Sequence, residues 1–268
     1  VYENKYYKYE DPEYSITQTP LNEQDLKTMS EAVEVLRQFK GFSYFTEMSD
    51  IINRLEDHVA SARMKTTPVI DFEKNESLKG LDYLDTIYHA IVNEHPIQLK
   101  YRSFKARSAN SFIFYPYLLK EYRNRWFVYG VRGNGRILQN LALDRIQSLE
   151  VLPQEHYIKN TFFDPNTFFD DLVGVTKNTG SVAEKVGFKV AAAEAPYIIT
   201  KPIHRSQQVM ERLADGSVIL EIEVVINHEL ERVFFGYAEG IQVLYPKTLV
   251  ELMGRKLKKA AEQYTHSK

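Results

Sequence analysis

Between residues 97 and 151 the sequence gathers arginines (Arg102, Arg107, Arg123, Arg125, Arg132, Arg136 and Arg145), aromatic side chains (Tyr101, Tyr115, Tyr117, Tyr122, Trp126, Phe127 and Tyr129) and a hydroxyl at Ser103. An arginine fork grips a phosphate or carboxylate through two parallel hydrogen bonds, and an aromatic face stacks a nucleobase. A single-stranded nucleic acid or a nucleotide ligand needs this mixture. Each group also has a structural reading. Trp126 and Val128 alternate with Phe127 and Tyr129, so one of the two pairs belongs to a core. Arg123 and Arg125 flank a turn, where solvent alone accounts for them. Asp144 and Arg145 read equally as an ion pair that pins a corner between strands.

The charge distribution isolates the same segment. The chain of 268 residues has a net charge of −2, but residues 1–96 hold 10 Lys+Arg against 18 Asp+Glu, residues 97–151 hold 10 against 3, and residues 152–268 hold 14 against 15. A swing of that size points to a local anionic partner for the middle segment, or to pairing with the acidic first third. The two readings are compatible.

Catalytic patterns are missing. The histidines (58, 89, 95, 156, 204, 228 and 266) show neither His-x3-His nor His-Glu-x-x-His, so zinc-hydrolase spacing is absent. There is no nucleophile elbow and no P-loop, and Gly133-Asn134-Gly135 is followed by strand pattern rather than a helix that would receive a pyrophosphate. With no Cys, disulfides and thiolate metal sites are excluded, which favours a reducing cytoplasm. No apolar run approaches the roughly 18 residues that cross a bilayer. Neither an enzymatic role nor a cofactor, metal or membrane partner is expected. The start at Val1, running directly into YENKYYKYEDPEY, suggests part of a longer protein.

The elements that position these residues follow from periodicity. Apolar residues at helical spacing predict helices over 22–40, 46–61 and 81–93, the last stopped by Pro96. After Pro96 the period changes to two. IQLKYRSF, FIFYPYLLKEY, RWFVYGVR, RILQNLAL and IQSLEVL read as five short strands, with Pro116 demanding an edge or a bulge. Five strands joined by tight turns predict a closed or nearly closed antiparallel barrel of SH3/Sm or OB type. Residues 153–185 read as an irregular linker. From 186 onward the order β-α-β-β-α-β plus a terminal helix is ferredoxin-like. The expected architecture is α+β: a helical connector and dimerisation region at 1–96, a small SH3/Sm-like barrel at 97–152, the linker, and an α+β domain at 186–268.

Four short motifs carry a resemblance: Tyr101-x-Ser103, Pro116-Tyr117-Leu118, Trp126-Phe127-Val128 and Leu143-Asp144-Arg145-Ile146. In order and spacing they resemble the WYL domain, whose name-giving triplet is here Trp-Phe-Val. Residues 186–264 look like the extension that follows such domains, and residues 1–96 are similar to the helical connector before them. The resemblance implies a bacterial transcriptional regulator acting as a homodimer. Its winged helix-turn-helix, lying before Val1, would bind promoter DNA, and its barrel would bind a nucleic-acid or nucleotide-like effector. By position it implicates Tyr101, Ser103, Tyr117, Trp126, Arg136 and Arg145. One departure is Gln139, where the family commonly has Arg; one anion contact is then either missing or supplied by Arg136 or Arg132. The rival expectation is a constitutive single-stranded nucleic-acid-binding protein without a switching role.

Overall fold

The computed structural model describes residues 78–265 apart from Asn134 and Arg136, together with two paired two-residue strands, Tyr2–Glu3 and Tyr6–Tyr7. The helices expected over 22–40 and 46–61 lie outside the described residues. The chain divides into two compact units, Val1–Asp85 and Thr86–Lys268. The third expected helix is present as a 3-10 turn, Leu81–Tyr83, followed by α1, Leu84–Val92.

The first sheet has five strands: β1 (Ile97–Tyr101), β2 (Asn110–Tyr122), β3 (Arg125–Arg132), β4 (Leu138–Ala142) and β5 (Ile146–Val151). Their order is β4-β3-β2-β1-β5, every pair antiparallel. Alternation works as anticipated on β1, where Ile97 and Leu99 are fully buried and Lys100 is exposed. Pro116 sits in the central strand β2 rather than at an edge. It is accommodated because the register with β3 slips between Pro116 and Leu118, a bulge that relieves the ladder of the amide proline lacks. Its partner is Gly130. A Cβ at Gly130 would overlap the Tyr115 carbonyl oxygen and lie 2.6 Å from the Phe114 ring. Gly130→Ala is therefore expected to destabilise the protein by about 2 kcal/mol through overpacking, read as a lower denaturant midpoint. An unchanged midpoint would show that β2 yields at no cost.

The sheet is not a closed barrel. Its edges, β4 and β5, form no ladder with one another. Yet the 3-10 turn Leu143–Arg145 alone carries the chain from one edge to the other. Four Cα steps reach at most roughly 14 Å, whereas a flat five-stranded sheet separates its outer strands by about 19 Å. The sheet must curl strongly, and the turn stands where a closing ladder would have been.

Residues 152–183 contain no strand or helix, but they are not a free tether. Asn160 organises the segment: its Oδ1 accepts from the Phe162 amide at 3.0 Å, and its Nδ2 donates to the Phe163 carbonyl at 2.9 Å. Phe163, Phe168 and Phe169 surround the Tyr129 ring at centroid distances of 6.3, 5.8 and 5.3 Å. This aromatic strap explains why Val128 and Tyr129, neighbours on β3 with opposite side-chain directions, are both buried. One faces the sheet's own core and the other faces the strap.

The second sheet comprises β6 (Glu184–Val190), β7 (Gln208–Arg212), β8 (Val218–Val224) and β9 (Ile241–Tyr245) in the order β9-β6-β8-β7. Helices α2 (Ala195–Thr200), α3 (His228–Phe235) and α4 (Lys247–Thr265) complete this part. Its core joins Val186, Phe188 and Val190 on β6 to Leu220, Ile222 and Val224 on β8, with Ile198, Leu230, Phe234, Leu249 and Met253 from the helices. Asn227 caps α3 by accepting from the Leu230 amide at 2.9 Å, and its amide group donates to the carbonyls of Val173 and Thr176 on the strap.

Candidate ligand-binding cleft

A cleft of about 300 Å³ opens where the loop after β1 meets the turn between β4 and β5, lined by Arg102, Ser103, Phe104, Asp144, Arg145, Ile146 and Gln147. The Arg102 amide donates to the Arg145 carbonyl at 3.1 Å, which fixes the loop to the turn. Ser103 holds the loop's shape: its Oγ accepts from the Lys105 amide at 3.3 Å and its carbonyl from the Ala106 amide at 2.9 Å.

Asp144 lies between two arginines. Arg125 Nε is 3.4 Å from one carboxylate oxygen and Arg145 Nε is 3.9 Å from the other. At 3.9 Å the second pair attracts as charges but makes no hydrogen bond. Asp144 Oδ1 and Arg145 Nε are in fact buried without any hydrogen-bond partner. The two face one another as a loosely made ion pair, and the Arg145 side chain keeps part of its surface exposed in the cleft. The Arg145 guanidinium lies 4.5 Å from the centroid of the Phe104 ring. Tyr101 stands beside it: burial raises the phenol above its ordinary value, and the Arg145 charge with hydrogen bonds to Arg145 and the Ala142 backbone partly offsets this.

The seven residues singled out from sequence thus separate. Ser103 and Arg145 line the cleft, and Tyr101 stands beside Arg145 without lining it. Trp126 is half-buried at the start of β3, paired with Glu121 across the ladder, and does not line it. Arg132 is exposed at the far end of β3 with its guanidinium 4.0 Å over the Phe112 ring. Arg136 lies outside the described residues. Tyr117 is buried beneath the strap, its ring stacked on Phe162 at 6.2 Å and edge-on to Tyr157 at 6.1 Å, with its hydroxyl unpartnered. Of the residues lining the cleft, Phe104 was not anticipated. Its signal was available: an aromatic residue inside a basic loop, between Arg102 and Lys105-x-Arg107.

The Tyr117 environment has a measurable consequence. Burial pushes its phenol up to about 12. A phenol whose folded value is raised stabilises the fold fully below its unfolded value near 10, and that stability is lost as pH rises toward 12. Tyr117→Phe is expected to remove this alkaline loss and to raise stability at neutral pH by about 1 kcal/mol, because the orphaned hydroxyl is deleted. Denaturant midpoints at pH 7 and pH 11 check both; a lower midpoint at pH 7 would mean the hydroxyl has a partner in solution.

A second cleft of about 300 Å³ lies beside edge strand β4, lined by Ile137, Leu138, Gln139, Asn140, Leu141, Tyr129 and residues 176–179 of the strap. Gln139 belongs here and not with Arg145. Among the described residues lining this cleft the one cation is Lys177, which is bound to both oxygens of Asp171 at 2.8 Å. The two clefts therefore differ in character: the first is charged and holds unpaired polar atoms, whereas the second is mainly neutral.

Among the described residues, no group of His, Asp and Glu is arranged to hold a metal ion, and no helix is long and apolar enough to cross a membrane. The site and fold define an α+β protein whose unit Thr86–Lys268 carries two antiparallel sheets, with an arginine-bearing cleft at the first of them. The WYL domain family matches residues 82–151 and the WCX domain family matches residues 183–261. The chain belongs to the WYL-domain-containing proteins, with a WCX domain following. The WYL match takes in α1 as well as the sheet.

Among solved structures the chain is similar to the proteasome accessory factor B/C (PafBC) of Arthrobacter aurescens, with 16% identity and a TM-score of 0.28. That match covers 72% of this chain and 28% of the other, so the chain spans little more than a quarter of it. It is also similar to a CRISPR Cas-related protein, with 10% identity, a TM-score of 0.44, and coverage of 90% of this chain and 86% of that one. No curated protein matches the chain.

Proposed function

We propose that this chain is the effector-sensing and dimerisation portion of a bacterial DNA-binding transcriptional regulator, and that the Arg145 cleft takes a nucleic-acid or nucleotide-like effector. The observation that carries the reading is the partly exposed Arg145 guanidinium, which lines a cleft with Arg102 in the most cationic segment of the chain. Membership among WYL-domain proteins supports the regulatory role. Promoter DNA would be bound by a winged helix-turn-helix outside this chain, and the protein would act as a cytoplasmic homodimer without catalysis or cofactor. The first sheet, ordered β5-β1-β2-β3-β4 and curled through a 3-10 turn, supports an SH3/Sm-like reading of the WYL domain. The order β9-β6-β8-β7 supports a ferredoxin-like reading of the second.

For a sensor, the effector must bind one arrangement of the protein better than another. The turn that carries Arg145 directly follows β4, and Asn140 on β4 holds the strap through the Val175 carbonyl at 2.7 Å. A ligand that shifts the turn therefore acts on the element that joins the two domains. Fluorescence-anisotropy titration of single-stranded DNA, RNA and mononucleotides at low salt, alongside sedimentation velocity, tests this. The sensor reading expects binding that changes the shape or association of the dimer. Binding that is steeply salt-dependent but leaves the dimer unchanged supports the constitutive binder instead. Absence of binding to all three ligands at low salt removes both.

A further inference from the structure

Phe104 is the cleft's least economical residue. It is 71% exposed, in a loop between Arg102 and Lys105, and contributes nothing to a core. An exposed phenyl ring forgoes the burial that normally accounts for such a side chain. Its position is nonetheless set. Ser103 accepts from the Lys105 amide across it, the Arg102 amide is tied to the Arg145 carbonyl, and the Arg145 guanidinium lies over the ring at 4.5 Å. One face is thus backed by a cation, and the exposure of the residue leaves the other open to solvent.

We propose that Phe104 is a stacking platform for a nucleobase, so that the cleft holds one nucleotide unit: base on the open face of Phe104, phosphate between Arg102 and Arg145. This rests on the reading of the cleft as an effector site and specifies the ligand's chemistry. Three observations converge on it. The guanidinium that backs the ring belongs to a side chain that is partly exposed in the cleft, so one arginine both orders the platform and offers donors beside it. Arg102, exposed and next to the ring, supplies a second cation. The volume of about 300 Å³ is at the small end of ligand pockets, suited to one nucleotide unit rather than to a duplex. An inorganic anion would use the arginines and leave Phe104 without a role, whereas a base with its attached phosphate uses both. Stacking is tolerant of sequence, because every base has a π-face.

The test uses the whole chain and fluorescence anisotropy at low salt with three probes: a short single strand carrying one 2-aminopurine, the same strand with that base removed, and tripolyphosphate. Wild type is expected to bind the base-bearing strand about ten-fold more tightly than the abasic strand, the effect of one base–aromatic stack, and to quench the 2-aminopurine. Phe104→Ala is expected to erase the difference, abolish the quenching and leave abasic-strand and tripolyphosphate binding unchanged. Phe104→Tyr is expected to restore both differences. Equal wild-type affinity for the two strands overturns the proposal, as does Phe104→Ala weakening all three probes alike. Either result would leave the anion site intact provided Arg145→Ala still weakens tripolyphosphate. Failure of wild type to bind any probe would remove the effector reading together with the platform.

Discussion

Arg145→Ala is expected to weaken binding of single-stranded nucleic acid at least ten-fold and to make the salt dependence of binding shallower by about 0.7 in log–log slope, the share of one phosphate contact on a single strand. The expectation rests on the position of this guanidinium among Phe104, Tyr101 and Asp144, on a side chain that keeps part of its surface exposed in the cleft. A hydrogen bond to a charged partner from such a donor contributes roughly 1.5–3 kcal/mol, which is about ten-fold or more. The cost to the fold is much smaller. Asp144 keeps Arg125 at 3.4 Å, and the side chain lost is partly exposed, so stability falls by about 1 kcal/mol or less. The contrast between the two readouts is diagnostic. A large loss of stability with unchanged binding would assign Arg145 to the scaffold, as the pin of the corner between β4 and β5. Arg132→Ala serves as the control, since that residue is stacked on Phe112 away from the cleft and its loss is expected to change affinity only through general charge.

Tyr129→Ala is expected to be the most damaging single truncation in the first domain, costing about 4 kcal/mol. The side chain is 2% exposed and packs among Phe163, Phe168 and Phe169, while its hydroxyl donates to the Val175 carbonyl. Four kcal/mol is a large part of the 5–15 kcal/mol that holds a typical domain together. Tyr129→Phe separates the contributions. It keeps the ring and loses only the hydroxyl, and Asn140 still donates to the same carbonyl at 2.7 Å, so about 1 kcal/mol is expected. Denaturant titration of both variants, with limited proteolysis across 153–182, distinguishes them. The alanine variant is expected to expose the strap to cleavage while the second domain remains protected. Equal losses from the two substitutions would show that the hydrogen bond and not the aromatic packing seats the strap.

Much of the fold was legible because the sequence changes period where the elements change. The run from Ile97 alternates strictly, and its burial alternates with it; the strands and helices after residue 183 follow in the order read from the sequence. Pro116 was correctly limited to two options, and the bulge was the one realised. The sheet's failure to close was not legible, since edge pairing depends on where a three-residue turn places two strands and not on any local pattern. The strap was also hidden. Its aromatic residues fall in Phe-Phe pairs with neither helical nor strand spacing, and composition at 176–181 suggests only flexibility. For the same reason Tyr117, placed by motif among ligand contacts, is instead covered by Phe162. The candidate site was legible in part: Tyr101, Ser103 and Arg145 converge because the end of β1 and the β4–β5 turn are held together by the Arg102 amide. Phe104 was overlooked because an exposed ring in a loop has no periodicity to betray it.

The carbonyl of Val175 receives two donors, Tyr129 from β3 and Asn140 from β4, while the neighbouring residues Val173 and Thr176 are held by Asn227 at the start of α3. Such a joint is keyed. A shift of one residue along the strap would forfeit donors from both domains together, so intermediate seatings are unfavourable. This sets the unit of exchange for anyone recombining these domains. A graft of the WYL domain cut at residue 152 would leave Tyr129 and Asn140 without their acceptor and the phenylalanine surface bare, whereas a graft carried through Lys177 takes its half of the joint along. Swapping the second domain, in turn, requires an asparagine equivalent to Asn227 at the head of the incoming helix.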